Sequence, residues 1–417
     1  MKLSIFAFFA VFWLAPSLLA QDEYKVSGTF YDEFDNPLPG VNVLVKGTST
    51  GVQTDFSGYY ELNLLEGQYT LVYSFLAPNS IERSFYLKKD KVLDVKIGEK
   101  IEVLDEVFVS AIRVTNQTPV TFSNLTKEEI KPRNLGQDIP VLMNFLPSVV
   151  TTSDAGAGVG YTGIRVRGSD ATRVNVTING IPYNDAESQG TFWVNMPDFA
   201  SSTESLQLQR GVGTSTNGAG AFGASLNLLT DGFSEEAYGQ ISSSIGSFNT
   251  LRNNLKFSTG LLNDHVEISG RLARITSDGY VDRASSELES YFLQGSYVDD
   301  NTLVKALLFG GHEITYQAWN GIDAETLESD RTFNSAGIYT DENGNTQFYD
   351  HEEDNYRQNH FQLHWNEQIA DNWNTNLAFH FTKGRGFFEQ YKENDDFSTY
   401  GIEPIMVDGE EVDKTDL

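Results

Sequence analysis

Between Leu251 and Thr382 the chain repeatedly switches between apolar and polar residues, one by one, in segments of about ten. A period of two places alternate side chains on opposite faces of a strand. Leu251, Leu255 and Phe257 share one face, while Arg252, Asn254, Lys256 and Ser258 share the other. Val266, Ile268 and Leu272 alternate with Glu267, Ser269 and Arg271. Phe361, Leu363 and Trp365 alternate with His360, Gln362, His364 and Asn366, and Trp373, Leu377, Phe379 and Phe381 face away from Asn374, Asn376, His380 and Thr382. Strands of this length, apolar outside and polar inside, are the pattern of a transmembrane β-barrel. A water-soluble sandwich also alternates, so periodicity alone leaves both open.

Turn lengths add to the barrel reading. Leu261-Leu262-Asn263-Asp264 and Val298-Asp299-Asp300-Asn301 are tight, whereas Ile314 to Tyr356 is long, acidic and polar. Barrels have short turns at one end and long loops at the other, and the long stretch reads as extracellular. Beyond residue 20 no apolar run is long enough for a transmembrane helix.

Charge and composition exclude several functions. A net charge of -29 argues against a nucleic-acid partner, which needs a basic face. With no cysteine, the chain has no disulfide framework, thiolate metal site or cysteine nucleophile. Plentiful glycine, with Tyr and Phe far outnumbering Trp, suits short strands and turns. Met1-Lys2 opens a short apolar run, Leu3 to Ala15, broken by Pro16 and followed by Ser17-Leu18-Leu19-Ala20. Residues 1–20 therefore read as a signal peptide, cut before Gln21.

Residues 21–98 show short β patterns with turns at Asp35-Asn36-Pro37 and Thr54 to Gly58, the spacing of a small antiparallel sandwich. The run PLPGVNVLVKGTSTGVQTDFSGYYELNLLEGQYTLVYSF resembles the carboxypeptidase-regulatory-like domain that precedes many Bacteroidetes outer-membrane receptors. Residues 99–117 form a junction containing IEVLDEVFVSAIR. In it Asp105-Glu106-Val107-Phe108-Val109 can be extended and open to pairing with a partner strand. By pattern alone it is equally an edge strand of the sandwich. Its position points to a TonB box, which it resembles.

Residues 118–230 mix α and β. Thr126-Lys127-Glu128-Glu129 fits a capping box, with Pro132 ending the short helix. Ile139, Leu142, Met143 and Leu146 recur at helical spacing and read as core. Four pieces in order, LMNFLPSV, GIRVRGSD, RVNVTINGIPYND and ESLQLQRGVGTSTNGAGAFGASLNLLT, resemble the plug domain of TonB-dependent outer-membrane receptors. One departure is Val212 where a proline usually follows the Arg-Gly pair. Gly218 to Gly223 also satisfies G-x-G-x-x-G, but a dinucleotide site needs a helix next, and Ser225 to Leu229 alternates like a strand.

The resemblance implies a mainly β chain: sandwich, α/β plug, then the start of an antiparallel barrel over 231–417. The family's barrel has roughly twenty-two strands. The 187 residues after Thr230 allow about seven to nine. The chain is therefore expected to be a fragment that does not insert by itself. The resemblance further implies import without chemistry on the cargo, hence no enzyme and no cofactor. Its partners would be TonB with the ExbB-ExbD energy-coupling complex, outer-membrane lipids and a small-molecule chelate as cargo. Sandwich and TonB box would face the periplasm of a Gram-negative cell. Plug motifs carried over are Arg165, Arg167, Gly168, Asn179, Gly180, Arg210 and Gly211, the arginines pairing with barrel glutamates. His360, His364 and His380 fall on inferred lumen faces and are candidate chelate contacts. The barrel start, ITYQAWNG, looks like the iron-chelate branch. The alternatives are an oligosaccharide importer like SusC, or a secreted β-sandwich adhesion protein.

Overall fold

The computed structural model describes residues 23–32, 36–74, 80–96, 113–115, 118–213, 221–263, 265–299, 301–341, 343–370 and 373–415. The expected signal peptide and the Asp105–Val109 segment lie outside the described residues. Two compact units result, Met1–Val103 and Leu104–Leu417.

The first unit holds β1 (Glu23–Tyr31), β2 (Asn42–Val45), β3 (Gly51–Gln53), β4 (Tyr59–Leu65), β5 (Gly67–Ser74), β6 (Ser80–Leu87), β7 (Lys91–Val92) and β8 (Val95–Lys96). They form two sheets, β4-β1-β7 with β8 beside β1, and β3-β2-β5-β6. Strict alternation in Tyr59–Leu65 turns Tyr60, Leu62 and Leu64 into a core with Val26, Phe30, Leu71 and Tyr73. The buried Tyr60 and Tyr73 hydroxyls satisfy each other at 2.6 Å, and Tyr60 donates to the Leu93 carbonyl at 2.7 Å.

The plug contains β9 (Thr121–Thr126), β10 (Val149–Ser153), β11 (Thr162–Val166), β12 (Val174–Ile178), β13 (Ile181–Pro182), β14 (Thr203–Arg210) and β15 (Ala224–Thr230). Five of them make a sheet ordered β13-β12-β15-β14-β9, with β12 parallel to β15. All five residues of β12 are buried, as expected for a strand covered on both faces. The capping box at Thr126 forms, with the Thr126 amide donating to Glu129 at 3.0 Å, and starts the helix Lys127–Ile130. Ile139, Leu142, Met143 and Leu146 all enter the plug core. The chain after Gly223 is strand β15, without the helix a dinucleotide loop requires.

The wall is one seven-stranded sheet in sequence order: β16 (Ala237–Ile245), β17 (Leu251–Thr259), β18 (Val266–Ser277), β19 (Ser286–Val298), β20 (Thr302–Tyr316), β23 (Glu353–Ala370) and β24 (Trp373–Phe388). Short connections join β17 to β18, between Thr259 and Val266, and β19 to β20, between Val298 and Thr302. The long connection spans 317–352, shorter than Ile314 to Tyr356, because the ladder continues to Tyr316 opposite Glu353. It carries the helix Ala324–Ser329 and the hairpin β21 (Ile338–Thr340) and β22 (Thr346–Phe348).

Burial decides between sandwich and barrel. Leu255, Leu272, Phe361 and Trp365 are 42–56% exposed, whereas Arg252, Asn254, Glu267 and Arg271 are only 1–6% exposed. A water-soluble sheet would do the reverse. Apolar residues outside and polar residues inside fit a wall whose outer solvent is lipid.

Candidate functional site

What the wall buries on its inner face is the plug. The plug's hydrophobic core takes in Phe292, Leu307 and Phe309, inward residues of β19 and β20. Phe199 packs against Phe309 at 5.4 Å and against Phe292 at 6.3 Å between ring centroids. Close approach depends on Gly311, where a Cβ would lie 2.6 Å from the Asn195 carbonyl oxygen.

Charged groups flank this apolar contact. Asp198 sits in left-handed backbone, φ 55°, which turns its side chain toward the wall. Its carboxylate, 0% exposed, meets Arg252 Nη2 at 2.8 Å and Arg271 Nη1 at 3.5 Å. Asn254 also donates to it, and Ser201 Oγ donates at 2.7 Å. Arg271 spends its other donors on Ser202 Oγ at 2.8 Å and Ser290 Oγ at 3.0 Å. Ser290 in turn donates to the Pro197 carbonyl at 2.7 Å. Four polar residues from three wall strands thus converge on the Pro197–Ser202 turn.

A second ion cluster centres on Asp231, just past β15. Lys256 of the wall pairs with it, and Lys127 of the plug lies 2.6 Å away. Lys256 also donates to the Ser201 carbonyl at 3.0 Å. Burial pushes the Asp231 carboxyl up, but the Lys256 and Lys127 ammoniums outweigh it and hold the group below its usual range.

The third contact uses the Asn-Gly turn between β12 and β13. Asn179 (φ 51°) and Gly180 (φ 76°) take the two left-handed positions of a type I′ turn. Asn179 accepts from the Thr230 amide at 3.0 Å and donates to Gln362 of the wall at 3.2 Å. His364 Nε2 lies 3.2 Å from the same Gln362 oxygen. His360 stacks on Phe309 at 4.8 Å and meets Tyr183 at 5.1 Å. Both histidines are therefore packed under the plug, while His380 on β24 is exposed.

The arginines of the plug motifs lie elsewhere. Arg165 and Arg167 are exposed, and Arg167 (φ 52°) and Gly168 (φ 80°) form a tight turn. Arg210 donates to Ser123 Oγ at 2.7 Å and to the Phe122 carbonyl at 3.2 Å, both within the plug. Gly211 (φ 96°) lets Arg167 come close, since a Cβ there would lie 2.9 Å from Arg167 Nη1. Among the described residues, the charge pairs joining plug to wall have acids on the plug and bases on the wall.

Sequence reading also passed over Arg113, four residues past Val109. It donates to Ser205 Oγ at 2.8 Å, the Ser205 carbonyl at 3.1 Å and the Asn227 carbonyl at 3.0 Å. Beside it, the Gln207 side chain bonds the Val114 amide at 2.8 Å and carbonyl at 3.0 Å, as a neighbouring strand would. Burial pulls the Arg113 guanidinium down to about 10. This stretch is bolted to β14 and β15.

None of these groups forms a nucleophile–base pair. Among the described residues no cluster of three His, Cys, Asp or Glu is placed to hold a metal. No described helix is long and apolar enough to cross a membrane, which says nothing about strands.

Comparison with known proteins agrees with this architecture. Residues 26–109 match the CarboxypepD_reg-like domain, and residues 114–225 match the TonB-dependent Receptor Plug Domain. Residues 114–225 therefore carry a plug domain like that of the TonB-dependent receptors. The chain is 33% identical over 154 residues to TonB-dependent receptor P39 of Formosa agariphila, a match covering 36% of the chain and 14% of that protein. It is 28% identical over 177 residues to TonB-dependent receptor SusC of Bacteroides thetaiotaomicron, covering 40% and 17%. The chain thus spans less than a fifth of the length of either relative. Its fold also matches the unliganded ferric citrate transporter FecA, with TM-score 0.53 and 15% identity, over 66% of this chain and 42% of that one. The relatives and the fold neighbour named here are receptors and a transporter, not enzymes.

Proposed function

We propose that this receptor imports a ferric chelate across the outer membrane, driven by TonB with the ExbB-ExbD complex. The observation that carries the reading is a plug seated on the inner face of a lipid-facing wall by the Asp198 and Asp231 clusters. Buried ion pairs hold two bodies in register yet part when one partner is displaced. In this reading, cargo binds from the loop side and TonB captures Asp105–Val109 from the periplasm. The pull reaches β14 and β15 through Arg113 and Gln207. Those strands adjoin Asp198 and Asp231, so the load arrives at the clamps. Arg165, Arg167 and Arg210 would hold further parts of the plug, and His380, exposed on an inward position, is the histidine best placed to meet cargo.

A ferric cargo is supported by the run ITYQAWNG, residues 314–321, which looks like the iron-chelate branch of the family. A second reading, an oligosaccharide cargo, is favoured by the SusC relative. Quantifying the full-length receptor in purified outer membranes separates them. A rise under iron starvation alone supports the chelate, and a rise only on a complex glycan as carbon source moves the cargo to oligosaccharide. A soluble protein absent from that membrane in every condition contradicts import.

A further inference from the structure

The inner face of the wall carries bases whose acids all lie off the wall strands. Arg252, Asn254 and Lys256 are inward on β17, and Arg271 is inward on β18. Register sets Lys256 directly opposite Arg271, with Gln240 of β16 on its other side. Like charges opposite each other on one sheet face destabilise a ladder unless an anion lies against them. Those anions are Asp198, on the Pro197–Ser202 turn, and Asp231, just past β15. Glu267, the acid of β18, instead accepts from the Ser234 amide at 3.1 Å and from Ser258 Oγ at 2.7 Å. The bases are fixed by the β16-β17-β18 ladder, to which neither Asp198 nor Asp231 belongs. Displacing the plug therefore uncovers two guanidiniums and an ammonium that keep their places.

Beside them a cavity of about 230 Å³ lies between the plug and strands β16 and β17. Lys127, Lys131, Arg252 and Lys256 line it together with Gln240 and Ser242, and none of its lining residues is acidic. A chain of net charge -29 has acids to spare, so four bases and no acid around one space select for an anion. Arg252 is 6% exposed, and its Nε finds no hydrogen-bond partner among the described residues. A buried donor left unpaired is costly, and an incoming acceptor would satisfy it.

We propose that Arg252, Lys256 and Arg271 form an anion-binding station between plug and wall, where carboxylates of the passing cargo take the places that Asp198 and Asp231 leave. The proposal rests on the import reading above and adds to it the chemistry met in transit. Each guanidinium fork can take a carboxylate through two donors, and the ammonium adds a point charge. Lys256 and Arg271, opposite each other on neighbouring strands, start about 5 Å apart at Cβ. Two carboxylates of one small molecule can bridge that spacing. A neutral sugar carries no charge for the exchange, so the station favours an anionic chelate over a neutral oligosaccharide.

The test titrates the full-length receptor in detergent micelles with citrate, and with uncharged citramide as control. Citrate and the plug acids compete for the same bases. Asp198→Asn should therefore bind citrate at least about tenfold more tightly than the unmutated receptor, read by calorimetry. Adding Arg252→Gln and Lys256→Gln to Asp198→Asn should abolish that gain, with heat-modified gel mobility checking that the barrel is folded. A second reading needs no variant. Citrate should lower the denaturant midpoint for plug release in the unmutated receptor, because it binds the released state, and by more than sodium chloride of equal ionic strength. Citrate bound no more tightly by Asp198→Asn, a gain that survives loss of both bases, or equal binding of citramide overturns the proposal. A midpoint that citrate shifts no further than sodium chloride overturns it as well. None of these readings needs transport. A receptor that binds citrate in this way yet accumulates no cargo in cells refutes the import reading and leaves the anion site standing.

Discussion

Asp198 of the plug and Arg252 of the wall meet at 2.8 Å with their side chains 0% and 7% exposed, and Arg271 approaches the same carboxylate at 3.5 Å. Removing the acid leaves two buried guanidiniums without their counter-charge. Breaking a buried pair from one side costs about 3–5 kcal/mol. Asp198→Ala should therefore loosen the plug by that order, seen as a lower denaturant midpoint for plug release while the wall stays folded. A midpoint within error of the unmutated protein would show that the pair carries no load.

Gly311 tests the apolar half of the same contact. In Gly311→Val the new side chain starts 2.6 Å from the Asn195 oxygen and 2.8 Å from Pro197 Cδ. Overpacking of this kind costs about 1–3 kcal/mol. Hydrogen exchange across Trp193–Ser202 should accelerate, with the sandwich of residues 23–96 unaffected.

The Asn179 turn separates backbone from side-chain effects. Asn179→Gly keeps the left-handed turn but loses the bonds to Thr230 and Gln362. Asn179→Ala loses both and should be the less stable by about 1 kcal/mol in thermal melts, the cost of a left-handed non-glycine residue.

A pH dependence follows from Asp138 in the plug. Burial pushes its carboxyl up to about 8 from 3.8, against the Thr162 hydroxyl that donates to it at 2.8 Å. The folded value lies above the unfolded one, so the contribution is fully present below about pH 4 and is lost as pH rises through about 8. Asp138→Asn should flatten that decline in melting temperature between pH 5 and 9, windows set by the same linkage, roughly. An unchanged slope would assign it to other groups.

Much of the fold was legible because a period of two is hard to mimic. The inward and outward sets on β17, β18 and β23 came directly from alternation. Which set faces inward was not in the periodicity; it follows from the plug that covers Arg252 and Arg271. The clamp itself was missed. Asp198 sits in a Met-Pro-Asp-Phe run that reads as an ordinary turn, and its partners lie 54 and 73 positions later. A signal was nevertheless present, since Arg252, Lys256 and Arg271 all fall on inward positions and buried cations require nearby acids. The family resemblance drew attention to Arg165, Arg167 and Arg210 instead, whose described contacts stay within the plug.

Energised uptake is the most direct test of the central claim. Full-length receptor and a variant lacking Asp105–Val109 would be compared in cells for accumulation of radiolabelled ferric dicitrate, with and without a protonophore. The account predicts surface binding in both proteins, but accumulation only in the intact receptor and only while the proton gradient stands. Accumulation that survives both the deletion and the protonophore would contradict it.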